Sequence, residues 1–167
     1  MLTLALHHDE SVFVYLSEAQ KGKRKIEQLG LFSPGFTFDR AFLYQDNAVS
    51  LIKDMIKEIL QALSLKKESV YFSFPADLVF LSFYEQVPKE KIQSMIDKDV
   101  WLTELKFGHQ FIEESDCQVS VIYHQKEIAD LTCIYHPKKV HAIIQKACSQ
   151  NGCDLVGLGL NIFNSSE

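Results

Sequence analysis

No run of this 167-residue chain approaches the roughly 18 apolar residues of a membrane-spanning helix. The opening Met1-Leu2-Thr3-Leu4-Ala5-Leu6 carries no basic residues and runs straight into His7-His8-Asp9-Glu10, so it reads as a strand and not as a signal peptide. A basic stripe is also missing. With a formal net charge of -5, the chain does not suit a nucleic-acid binder, which needs clustered cations to neutralise phosphates. Its densest basic run, Lys21-Gly22-Lys23-Arg24-Lys25, falls between two predicted strands and reads as a solvated hairpin tip. The four cysteines crowd the last third with no C-x-x-C pair, so they read as reduced, buried thiols of a cytoplasmic protein. Phosphate loops are absent too. There is no P-loop, and Gly157-x-Gly159 sits in a late strand without the helix that should follow a dinucleotide-binding turn. Linkers, repeats and low-complexity segments are not found.

What remains is 47% apolar and 23% charged, enough to bury the core of one domain or of two small lobes. Leu2, Leu4 and Leu6 alternate as a strand, a polar turn follows over 7–11, and Val12–Leu16 makes the second arm of a hairpin. Arg24–Leu31 gives a third, weaker strand with Ile26, Leu29 and Leu31 before the break at Ser33-Pro34-Gly35. An aromatic-rich stretch leads to a helix at Asn47–Leu63. There Ile52, Met55, Ile56, Ile59 and Leu60 recur at three- and four-residue spacing, and Asp46 or Asn47 is placed to cap. Ser69–Phe74 and Leu78–Gln86 read as strands joined by Pro75-Ala76-Asp77. Pro88 suits the first position of a helix whose inner face is expected to be Ile92, Met95, Ile96, Val100 and Leu105, with Trp101 packed at a core edge. Strands at Gln118–Tyr123 and Asp130–Tyr135 follow. Pro137 then opens a last helix that Asn151-Gly152 ends as a left-handed cap, and Leu155–Phe163 is a final strand.

Candidate chemistry is thin. His7 and His8 are adjacent on a strand and point to opposite faces. His136 and His141 are five apart, off the spacing that puts two imidazoles on one helix face, so no metal site is expected. Cys117 with His124, or Cys133 with His136, lack an activating helix terminus or glycine elbow. Glu113-Glu114 and the pair Asp97/Asp99 read as turn and solvated-helix residues.

The run from Asn47 to Glu104 carries a likeness. A helix of the type Ala48-Val49-x-x-Ile52…Ile56…Leu60 precedes Ser69-Val70-Tyr71-Phe72-Ser73-Phe74-Pro75. A second strand then ends at Glu85-Gln86-Val87-Pro88 before the helix through Ile92–Leu105. This resembles the inserted subdomain of the PilM/FtsA group of bacterial actin-like proteins. The Leu2–Leu31 meander is similar to that group's opening, and Asp130–Tyr135, the helix after Pro137 and Gly152-Cys153-Asp154-Leu155-Val156 to its return. The resemblance implies an α+β (α/β-like) fold: an actin-like, ribonuclease H-like first lobe from residues 1–45 and 117–167, with a small inserted α/β subdomain at 46–116.

The family's first hairpin carries an Asp-x-Gly turn for nucleotide phosphate and magnesium. At the corresponding positions this sequence has Ala5 and His7, losing both the acid and the backbone freedom of glycine. The family's second lobe, with its second phosphate loop, is not expected within 167 residues. The resemblance thus implies a non-catalytic scaffold without cofactor or metal, cytoplasmic and peripheral to the inner membrane. It would bind a short cytoplasmic segment of an inner-membrane protein in a groove between the lobes, and a homo-oligomer is compatible with it. Type IV pilus assembly or type II secretion is the setting it suggests. Phe36, Phe38, Phe42 and Tyr44, between a break and the first helix, are the candidate groove residues, with simple sheet coverage as the alternative for each. The competing expectations are an actin-like ATPase or an FtsA-type division protein lacking its second lobe.

Overall fold

A computed structural model describes residues 1–7, 11–18, 24–125 and 127–160, in two compact units: 1–78 with 139–167, and 79–138. The expected turns at 7–11 and 21–23, His8 and the end of the last strand fall wholly or partly outside the described residues.

The first unit is built on a five-stranded sheet in the order β3-β2-β1-β4-β8. Its strands are β1 (Leu2–Leu6), β2 (Ser11–Glu18), β3 (Arg24–Phe32), β4 (Ser69–Phe74) and β8 (Asp154–Leu160). The meander β1-β2-β3 is antiparallel, whereas β1, β4 and β8 are parallel. Parallel neighbours need crossovers, and α1 (Ala48–Ala62) and α4 (Lys138–Gln150) lie in them. Alternation gives the sheet two unlike faces. Leu2, Leu4, Leu6, Val70 and Phe72 are fully buried, while Thr3, Ala5, Val14, Leu16 and Tyr71 on the other face are only half-buried. The buried face is the one met by Phe38, whose ring lies 6.3 Å from that of Phe72. The buried stripes of α1 (Ile52, Met55, Ile56, Ile59) and α4 (Val140, Ile144, Ala147, Cys148) complete this core, and Asn151 Nδ2 donates to the Lys53 carbonyl at 2.9 Å to tie the two helices.

Both helices stop in the same hydrogen-bond pattern. Leu65 N–H donates to the Leu60 carbonyl and Ser64 N–H to that of Gln61; Cys153 donates to Cys148 and Gly152 to Ser149. The residue at the turn is left-handed in each, Gly152 at φ 69° and Ser64 at φ 56°. The expected side-chain cap of α1 is not made. Asn47 has no side-chain cap bond; its carbonyl accepts the first intrahelical bond, from Leu51, as an N-cap residue's does in any case.

The second unit is an antiparallel sheet in the order β5-β7-β6, from β5 (Phe80–Pro88), β6 (Ser115–Gln125) and β7 (Ile128–Pro137). One face packs on α2 (Ile92–Phe107) and a short α3 (His109–Glu114). Val87, Leu131, Cys133 and Tyr135 centre its core, with Ile92, Met95, Ile96 and Val100 against them.

Pairing overturns the expected division of the chain. Residues 46–78 belong with the first unit because β4 pairs with β1 (Val70 opposite Leu2), and 117–138 belong with the second because β7 pairs with β5. Two local readings also fail. Glu113-Glu114 ends a helix and Ser115-Asp116 begins a strand, so that stretch is no turn. Trp101 and Leu105 lie on the outer side of α2, 57% and 65% exposed, because the inward turn of that helix is taken by Asp99 and Thr103.

Candidate functional site

Three places can be weighed for function. The first is the C-terminal end of β1. Ala5 sits in the sheet between Val12 of β2 and Ser73 of β4, and Leu6 lies opposite Ser11, whose hydroxyl is committed to the Phe32 carbonyl at 3.0 Å. The Ala5 methyl can neither ligate a cation nor orient a water. Among the described residues, no three His, Cys, Asp or Glu side chains converge closely enough to hold a metal ion.

The second is the aromatic stretch after the Gly35 turn (φ 72°). Phe36 stacks on Phe42 with ring centroids 4.6 Å apart, and Phe42 lies 5.3 Å from Phe38. Phe38 and Phe42 are fully buried, so they are core and cannot meet a partner; the Asp39 carboxylate accepts from the Phe42 N–H at 2.8 Å and holds the turn. The nominated four therefore divide. Phe36 is half-buried over its neighbour, and only Tyr44 is exposed, with the Lys139 ammonium 3.7 Å from its ring centroid.

The third is a polar cluster within the second unit. Asp99, read as a solvated helix residue, is buried: Tyr84 Oη donates to Oδ1 at 2.6 Å and Tyr135 Oη to Oδ2 at 2.7 Å. Burial alone would raise its carboxyl. Hydrogen bonds from Tyr84, Ser82, Tyr135 and Cys133 outweigh that and hold it below the usual carboxylate range. Burial and the Asp99 charge push the Tyr84 phenol up to about 12 and Tyr135 higher still. The Cys133 thiol rises to about 12 for the same two reasons. Cys117, expected among the buried thiols, is exposed, and partial desolvation of its sulfur raises its pKa. Both shifts favour the neutral thiol over the thiolate that a nucleophile needs. Cys133 faces this cluster, whereas His136 alternates to the other side of β7, so that pair does not form. The cluster is closed and lies beneath the helix, as a structural pin would.

Two surface features escaped the sequence reading. One is the outward Trp101, Leu102 and Leu105 on α2. The other is the outer edge of β3, with Ile26, Leu29 and Leu31 all 65% exposed or more. The alternation Leu29-Gly30-Leu31 at the end of a meander was the available signal, since a terminal strand is an edge unless something covers it.

The glycines of β8 also have an account. A Cβ on Gly157 would lie 2.8 Å from two ring carbons of Tyr71, which stands opposite it in β4. The Tyr71 ring thus lies flat across Gly157 and Gly159, and the G-x-G is a seat for an aromatic.

Set against known proteins, the sequence matches no protein-family model and no curated protein. Solved structures do share its fold. The PilM-PilN type IV pilus biogenesis complex superposes with a TM-score of 0.64 at 17% identity, covering 95% of this chain and 46% of that one. The cytoplasmic domain of EpsL, an inner membrane component of the type II secretion system of Vibrio cholerae, gives 0.55 at 14% identity, covering 95% and 56%. This chain therefore spans about half the length of the structures it matches. No described helix is long and apolar enough to cross a membrane. The chain has the actin-like fold shared by PilM and the EpsL cytoplasmic domain.

Proposed function

We propose that this chain is a non-catalytic, cytoplasmic adaptor of a membrane-associated assembly of the type IV pilus or type II secretion kind, holding a short cytoplasmic segment of an inner-membrane protein. The observation that carries the proposal is Ala5. Where the family resemblance implies an acid at this hairpin, the strand carries the Ala5 methyl group, at a position paired with Val12 and Ser73. Orienting metal-bound water for phosphoryl transfer needs a carboxylate there, and positioning is nearly all that such catalysis supplies. The setting is supported by the shared fold with one component of a pilus complex and one of a secretion system.

Because the chain spans about half of those structures, an ATPase completed by a second lobe is the competing reading. Thermal melting with and without magnesium-ATP separates them, since a ligand bound only by the folded state raises Tm. The adaptor reading predicts no shift at millimolar nucleotide. A saturable, magnesium-dependent rise would favour the ATPase.

A further inference from the structure

We infer that His109 is a pH-operated latch: as the imidazolium it fastens the short helix α3 to the end of α2, and as the neutral ring it lets α3 loosen. The inference goes beyond the adaptor reading and does not depend on it. Helix α3 has six residues, too few to hold itself by its own hydrogen bonds. It joins α2 through Gly108, whose φ of 90° and ψ of 162° suit only glycine, and no side chain caps its start. Packing holds it from below. Phe111 and Ile112 lie against the core of the second unit, with the Phe111 ring 4.7 Å from that of Phe107 and 6.4 Å from that of Tyr135. On the outside it is held by charge. His109 Nδ1 lies 2.8 Å from Glu104 Oε1 in the last turn of α2, and its Nε2 lies 3.2 Å from Glu113 Oε1, one turn along α3.

A carboxylate only accepts, so each ring nitrogen must carry a proton to bond the carboxylate it faces. The neutral ring has a single N–H. It satisfies one carboxylate and turns a lone pair toward the other, whereas the imidazolium satisfies both. His124 differs, since one nitrogen meets Asp130 and a neutral tautomer serves there as well. The neighbouring charges are otherwise engaged. Lys106 leans over the Phe80 and Phe107 rings, Lys138 donates to the Glu113 carbonyl at 2.7 Å, Gln110 donates to Glu114, and Asp116 of β6 stands opposite His136 of β7. Glu104 and Glu113 are the charges that act on the ring. The Glu104 hydrogen bond first, and then the Glu113 charge, lift it above its ordinary value near 6.5. A raised imidazole contributes stability that is fully present below the unfolded pKa and is lost as pH rises through the folded one. Helix α3 is thus fastened in mildly acid solution and loosened in alkaline solution, where Phe111 and Ile112 can leave Tyr135. All three side chains are more than a third exposed, so the latch biases one short helix and does not hold the fold.

The test is NMR on the wild-type chain and on the variants His109→Gln and His109→Arg, at a site exposed enough for all three to fold alike. The His109 ring resonances, identified by their loss in the variants, should titrate above the ordinary imidazole value, and Glu104→Gln should bring that titration down. Amide exchange over 111–115, corrected for its intrinsic pH dependence, then reads the latch itself at pH about 6 and about 8.5. In the wild type protection should fall about threefold between the two. His109→Gln should be at the low level at both. His109→Arg keeps its charge and can donate to both carboxylates at every pH, so it should be at the high level at both. A ring that titrates at or below the ordinary value would overturn the latch. So would one pH response shared by the wild type and the arginine variant, or an equal fall across α4, which would mean a general opening. Each of these leaves the adaptor reading standing, and a magnesium-ATP melting shift bears on that reading alone.

Discussion

Asp99 shows how one side chain organises its surroundings. Its carboxylate is buried with no cation paired to it among the described residues, and the charge is tolerated because two phenols and two weaker donors surround it. Asp99→Ala would strand both phenols beneath α2, at a cost of about 3 kcal/mol, measurable by urea unfolding. The pH dependence has a definite sign. A carboxyl held below its unfolded value contributes stability above that value and loses it as pH falls through the folded pKa. The unfolding midpoint should therefore drop on acidification from about pH 5 downward, and Asp99→Asn should flatten that limb. Gly157 tests the opposite fault, excess volume. Gly157→Ala drives a methyl into the Tyr71 ring and should cost about 1–3 kcal/mol, whereas in a Tyr71→Ala background the same change should be nearly neutral. Strong coupling in that double-mutant cycle would confirm the stacking, and additivity would refute it.

At the scale of elements, the two matched helix ends invite a direct comparison. Gly152 occupies the left-handed turn after α4 without strain, but Ser64 does the same after α1 with a Cβ that crowds its own carbonyl. Ser64→Gly should raise stability by about 1 kcal/mol, and a loss would mean that the serine side chain matters more than its backbone. The end of α4 was legible because Asn151-Gly152 announces it, while Leu63-Ser64-Leu65 carries no such mark. The faces of α1 and α4 were equally legible, since Ile52, Met55, Ile56 and Ile59, or Val140, Ile144 and Cys148, are both apolar and buried. Helix α2 was misread because polarity and burial disagree along it: Asp99 and Thr103 face in while Trp101 and Leu105 face out. Periodicity cannot foresee a buried acid whose partners, Tyr84 and Tyr135, come from two strands distant in the chain. The aromatic stretch failed for a related reason. Local sequence shows that Phe38 and Phe42 are large and apolar, but only the fold shows Phe72 waiting for them.

For the molecule as a whole, the order of elements carried more than any motif. The meander, the helix at α1, the strand at β4 and the final strand reached through α4 were all read as elements, though α1 and β4 were expected in the inserted subdomain and Asp130–Tyr135 in the first lobe. Instead α1 and β4 join the meander and β8 in an actin-like lobe with a second unit in the β4–β8 connection. Where that second unit begins and ends was not legible, because the boundary depends on which strands pair. Val70 opposite Leu2, and Cys133 opposite Ser82, join residues that no local alternation connects. The functional proposal lives at this scale too, as a fold known from pilus and secretion components with a methyl group where the chemistry would need an acid. Its most direct test is calorimetric titration of the purified chain with ATP in the presence and absence of magnesium, followed by a phosphate-release assay. The account predicts no saturable heat and no turnover above the protein-free rate. Magnesium-dependent binding accompanied by phosphate release would contradict it.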